Sequence, residues 1–95
     1  MKEGVKEIYK FFLREKPSMM LVKLRDQSKP RYPSIIAKEV DCTYAHTVRV
    51  LQEMEKNKLI VFKKKGRRKM IELTKRGKDI SELLVKIINL FGGTK

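Results

Sequence analysis

The 95-residue sequence has no tryptophan, one histidine (His46), one cysteine (Cys42) and only four side-chain amides, Gln27, Gln52, Asn57 and Asn89. A single cysteine excludes an internal disulfide and a cysteine-rich zinc site. Cys42 is expected as a small buried core residue beside a turn. No ligand cluster accompanies His46, so it reads as a polar surface residue rather than a metal ligand. The acids are dispersed and no phosphate-binding loop is present, so neither an enzyme, a metal nor a cofactor is expected. Apolar runs are short, as in Ser18 to Val22, which excludes a transmembrane helix. The N-terminus alternates Lys and Glu without a long apolar block, unlike a signal peptide. The expected location is therefore cytoplasmic, and nucleoid-associated given the charge. High Lys and Glu with few amides is a thermophile-like composition.

What the sequence has is cationic charge. It carries 24 Lys and Arg against 11 Asp and Glu, a net charge of +13. Such an excess implies a polyanionic partner, nucleic acid before an acidic membrane surface or acidic protein. The charge is also localised. Between Lys56 and Lys78 stand eleven bases and one acid, Glu72, so this stretch holds +10 of the +13. The remainder is nearly balanced. A thermophile-type solvated surface mixes both signs, whereas this block does not. Apolar residues make up 41% of the chain, too many for a disordered polyelectrolyte. Its length allows one domain, which buries roughly 60–65% of its unfolded surface.

Hydrophobic spacing predicts an amphipathic helix over 2–16, with Val5, Ile8, Tyr9 and Phe12 on one side, stopped by Pro17. A second helix is expected from Met19 to about Gln27. Residues 28–33 read as a loop with two prolines. Ser34 is a candidate cap for a short helix whose apolar side is Ile35, Ile36, Ala37 and Val40, ending at Asp41–Cys42. Thr43 caps the next helix, in which Thr47, Val50, Leu51 and Met54 fall at i, i+3, i+4 and i+7. Leu59–Lys64 and Lys69–Leu73 are predicted strands joined by Lys65-Gly66-Arg67. Thr74 caps a last helix to about Phe91, with Ile80, Leu83, Leu84, Ile87, Ile88 and Phe91 on its apolar side. Gly92–Gly93 ends it. The expected fold is mostly α with a small β-hairpin, a winged helix-turn-helix with extra N- and C-terminal helices. Its parts are an N-terminal helix (1–17), the core (18–73) and a C-terminal helix (74–95).

Four segments in this order resemble the winged-helix transcription regulators, in particular the MarR-like and related archaeal-type regulators. Ser34-Ile35-Ile36-Ala37-Lys38-Glu39-Val40 looks like the family's opening helix. Thr47-Val48-Arg49-Val50-Leu51-Gln52-Glu53-Met54-Glu55 looks like its recognition helix. Lys58-Leu59-Ile60 stands where the family has Gly-Leu-Ile, and Leu73-Thr74-Lys75-Arg76-Gly77 matches its Leu-Thr-x-x-Gly. The resemblance spans about Met19 to Leu84. Lys58 and Asp41 occupy positions where the family favours Gly.

An α-helix fits the major groove and presents side chains to base edges. On the helix at about 43–56, Arg49 is the candidate for guanine and Gln52 for adenine. Thr43, Tyr44 and His46 are candidates for phosphates or thymine methyls. Lys63, Lys64, Lys65, Arg67, Arg68 and Lys69 would follow the backbone or enter the minor groove, with Lys29 and Arg31 adding phosphate contacts. The resemblance implies double-stranded DNA as the partner and a homodimer. Val5, Ile8, Phe12, Ile80, Leu84, Ile87 and Phe91 are its candidate dimerisation residues. A small-molecule effector is not specified by the sequence. Two other readings stay open, a sequence-indifferent architectural or chromatin-type DNA binder and a winged-helix protein-interaction module.

Overall fold

The computed structural model describes residues 14–92. Within them the order is α1 (Glu15–Lys23), α2 (Pro33–Glu39), α3 (Tyr44–Lys56), β1 (Ile60–Lys65), β2 (Arg68–Leu73) and α4 (Lys75–Leu90). The two strands form an antiparallel hairpin. The architecture is a winged helix-turn-helix, mostly helical. The expected helix over 2–16, with Val5, Ile8 and Phe12, lies largely outside the described residues.

Four boundaries depart from the sequence reading. Glu15 and Lys16 belong to α1, and Pro17 sits buried in its first turn. Proline is accepted there because the N–H groups of a first turn have no intrahelical acceptor. The same helix stops at Lys23 rather than Gln27, and Leu24 caps it. Ser34 is not the cap of α2. Tyr32 takes that place without a side-chain bond, and Pro33 occupies the first helical position, where its fixed φ is already helical. The hairpin turn is also tighter than expected. Lys65 pairs with Arg68, leaving only Gly66 and Arg67 between the strands. Gly66 has φ +61, as a type II′ hairpin requires at its first central residue.

The expected caps of α3 and α4 are present. Thr43 Oγ1 accepts the His46 N–H at 3.1 Å, and Thr74 Oγ1 accepts the Gly77 N–H at 3.0 Å. Each such cap is worth about 1 kcal/mol. Both residues standing where the family favours Gly adopt the left-handed region, Asp41 at φ 57 and Lys58 at φ 61. Asp41 thereby turns α2 into α3, and Lys58 turns α3 into the hairpin. Lys16 Nζ donates to Val40 O at 2.7 Å, satisfying a carbonyl at the end of α2.

The core joins all six elements. Met20 and Leu21 of α1, Leu24 beyond it, Ile36 of α2, and Val50, Leu51 and Met54 of α3 meet Ile60, Ile71 and Leu73 of the hairpin and Leu84 of α4. Burying each such side chain contributes about 1.5–3 kcal/mol. Thr47, the half-apolar member of the α3 stripe, is fully buried and donates to Thr43 O at 2.9 Å. Cys42 is half-buried against this core. Helix α4 packs on α1, and α2 packs on α3.

One residue of the Leu-Thr-x-x-Gly motif has an unambiguous packing role. A Cβ on Gly77 would lie 2.0 Å from Leu59 O. Around it, Thr74 N donates to Leu59 O at 3.0 Å and Thr74 Oγ1 donates to Lys58 O at 2.7 Å. This knot fastens the start of α4 to the start of the hairpin, and so sets where the wing leaves the body.

Candidate nucleic-acid interface

The buried stripe of α3 leaves a solvent-facing crest. With 100° per residue, Ala45, Arg49, Gln52 and Lys56 lie opposite Thr47, Val50, Leu51 and Met54, and all four are exposed. Arg49 and Gln52, predicted from sequence as base readers, are therefore on the accessible side. Among the described residues no ion pair engages Arg49, whereas Lys56 meets Glu53 at 3.7 Å.

The flanks of this crest face different neighbours. On one side Tyr44, Val48, Gln52 and Glu55 look across a groove of about 470 Å³ to Arg67, Arg68 and Lys69 of the wing, with Phe62, Tyr32, Pro33 and Ser34 completing it. On the other side His46, Arg49 and Glu53 border a groove of about 490 Å³ closed by Arg14 to Pro17. The predicted set is thus divided. Tyr44, Gln52, Arg67, Arg68 and Lys69 come together, while His46 and Arg49 border the second groove. Thr43 spends its side-chain oxygen on the helix cap.

The wing concentrates cations. Register places Lys64 opposite Lys69 and Lys65 opposite Arg68, two like-charged pairs facing each other across the hairpin. Such pairs are destabilising. Among the described residues Lys63 alone of the wing cations has an acid partner, Glu72 at 3.2 Å. The side chains from Lys63 to Lys69 are all exposed. The guanidinium of Arg68 lies over the Tyr32 ring, 3.6 Å from its centroid. That contact turns one wing cation toward the groove.

Arg31 is not a phosphate contact. It is 1% exposed and donates through Nη2 to Glu39 Oε1 at 2.5 Å and to Lys23 O at 3.3 Å. The carboxylate of Asp26 is 3.9 Å from Nη1. The hydrogen bond from Arg31 holds the Glu39 carboxyl below its ordinary range, helped by the charges of Arg31, Lys29 and Lys23 against partial burial. Asp26 is lowered too, chiefly by bonds from the hydroxyl and N–H of Ser28. Lys29 remains on the surface, 3.7 Å from Glu39. A sequence pattern of bases in a proline loop does not reveal that one base turns inward to a carboxylate eight residues on.

Sequence reasoning missed Tyr32 and Phe62 as groove walls. Tyr32 and Arg68 are remote in sequence, so no local signal joins them. Among the described residues there is no cluster of three or more His, Cys, Asp or Glu. No described helix is long and apolar enough to cross a membrane.

Helix α4 carries two kinds of apolar residue. Ile80 and Leu84, expected in a dimer contact, are used within the chain: Leu84 belongs to the core and Ile80 packs against it. Their place follows from Gly77, which brings the first half of α4 against the hairpin. Leu83, Ile87, Leu90 and Phe91 are exposed, the last two to 86% and 87%.

No protein-family model and no curated protein sequence matches the chain. Solved structures do. A mutant of MepR from Staphylococcus aureus, bound to an oligodeoxyribonucleotide, superposes with TM-score 0.76 at 23% identity over 92% of this chain and 66% of that one. AF1382 from Archaeoglobus fulgidus gives TM-score 0.76 at 22% identity, covering 90% of this chain and 96% of that chain. The MarR family transcriptional regulator SPO1453 from Silicibacter pomeroyi DSS-3 gives 0.73 at 20% identity, over 90% of this chain and 61% of that chain. The chain therefore has the winged helix-turn-helix fold of MarR-type regulators. It spans about two thirds of MepR and nearly all of AF1382.

Proposed function

We propose that this chain is a DNA-binding transcription regulator that works as a homodimer. The observation that carries the reading is the wing: six cations from Lys63 to Lys69 with a single acid partner among the described residues, beside an exposed helix crest of groove-fitting size. Helix α3 enters the major groove, with Arg49 and Gln52 toward base edges and Tyr44 and Val48 toward thymine methyls. The wing lies along the backbone, with Arg67 or Arg68 reaching the minor groove. Opposed like charges cost stability when free and are neutralised by phosphate when bound, which gives a reason for keeping them. The oligonucleotide bound to the MepR mutant supports the same partner class here.

Leu83, Ile87, Leu90 and Phe91 support a two-fold contact through the end of α4, since a small domain gains by covering such a face. A dimer of this kind presents two α3 helices to half-sites about one helical turn apart. Fluorescence anisotropy with labelled duplexes tests the function. Affinity should fall by several decades as salt rises from about 50 to 200 mM, if about 6–8 phosphates are met per dimer. Binding unaffected by salt, or by Arg67→Ala with Arg68→Ala, refutes it. Selection from a random DNA pool distinguishes a regulator from an architectural binder. A specificity ratio under about 10³ assigns the architectural role.

A further inference from the structure

We infer that Arg31 is a positioning residue that holds the wing at a set angle to the recognition helix; this rests on the DNA-binding reading for its consequence but not for its geometry. Arg31 and Tyr32 form a strap between the helices and the hairpin. The main-chain carbonyl of Arg31 accepts the Ile71 N–H of β2 at 2.8 Å. The next carbonyl, of Tyr32, accepts the N–H groups of Ile35 and Ile36 at the start of α2, each at 3.0 Å. The Arg31 side chain then ties the strap to Glu39 near the end of α2 and to Lys23 O at the end of α1. The Tyr32 ring receives Arg68 near the wing tip. One dipeptide thus touches α1, α2, β2 and a wing cation.

The chemistry of Arg31 argues for position over stability. It is buried to 1% exposure, and among the described residues its Nε and Nη1 atoms have no hydrogen-bond partner. A buried guanidinium so incompletely bonded, facing a carboxylate that is only partly buried, gains little stability over apolar residues of similar size. What an apolar pair lacks is direction. A bonded guanidinium fixes the strap's orientation, and the strap's carbonyl fixes β2. The lever is long. Arg67 lies four residues beyond Ile71, roughly 13 Å of strand, so a pivot of about 15° moves the tip cations by about 3 Å. That displacement exceeds the tolerance of a phosphate hydrogen bond.

The test compares the wild-type chain with Arg31→Lys and with the apolar pair Arg31→Met plus Glu39→Met, which guards against a variant that merely fails to fold. Amide hydrogen exchange by NMR on the free protein is the direct readout. In a folded variant the Ile71 amide should exchange about ten- to a hundredfold faster, while Leu51 and Met54 amides in α3 keep their protection. Contacts between the Tyr32 ring and Arg68 should weaken together with it. Unchanged Ile71 protection in both variants overturns the proposal, as does an equal loss at every core amide.

Duplex binding then reads the consequence. Arg31→Lys should weaken affinity about tenfold in the wild-type background but little in a background of Arg67→Ala with Lys69→Ala, because those cations are what the strap positions. Equal losses in both backgrounds overturn it. A wild-type chain that binds no duplex removes the functional reading, while the exchange result still decides whether Arg31 sets the wing.

Discussion

Lys64→Glu should make the protein more stable and a worse DNA binder at once. Lys64 faces Lys69 across the hairpin, and both are exposed. The change replaces a repulsive cross-strand pair by an attractive one. Each contribution is about 0.2–1 kcal/mol in sheets, and solvent screening keeps both near the lower end. Lys and Glu have similarly poor strand propensity, so the backbone preference nearly cancels. The net gain is about 0.5–1 kcal/mol, which for a domain of this size raises Tm by about 2–6 °C. With the wing on the DNA backbone as proposed, the same change removes a phosphate partner and places a carboxylate against the backbone. The slope of log affinity against log salt should drop by about one per protomer. Thermal melts at low and high salt, with anisotropy titrations on one duplex, measure both. The stability gain should shrink at about 1 M salt, where the Debye length is about 3 Å. A variant that melts lower than wild type, or that binds with an unchanged salt slope, refutes the reasoning.

Other outcomes follow from the same geometry. Gly77→Ala would set a Cβ 2.0 Å from the main-chain oxygen of Leu59, a neighbour that cannot rotate aside. Urea melts should show a loss at or above the upper end of the roughly 1–3 kcal/mol usual for overpacking. Lys58→Gly should gain about 1 kcal/mol, because φ 61 strains a side-chain-bearing residue more than glycine's extra unfolded-state freedom costs. Acid stability depends on Glu39, whose carboxyl is held below 4.5 in the folded chain, first by the hydrogen bond from Arg31. Its contribution is fully present above the unfolded value and lost as pH falls through the lower folded one. Urea midpoints should therefore hold above about pH 5 and drop below about pH 4, with a smaller drop for Glu39→Gln.

Much of the fold was legible locally. The stripe Thr47, Val50, Leu51 and Met54 is a helix signal that tertiary packing only confirmed, because a 3.6-residue period and one buried face are the same fact. Thr43 and Thr74 cap as expected, since a hydroxyl before a helix satisfies amides a few atoms away. The Ser34 cap failed because Pro33 competed for the helix start. The wing turn is one residue shorter than its sequence suggests, since only the cross-strand register decides which residues leave the ladder.

The sequence by itself determined the order of elements, the exposed crest of α3 and the concentration of +10 in one stretch. These depend on spacing and on where the lysines and arginines stand. Only the tertiary structure decided which cations are available and where they point. Arg31 looked like one more surface base and is instead a buried tie, while Arg68 folds over Tyr32 and faces the groove. His46 and Arg49 share a helix with Tyr44 and Gln52 yet border a different groove. Charge is a property of composition, but a charge's partner is set by which distant segments the core brings within a few ångströms. That is information no local pattern carries.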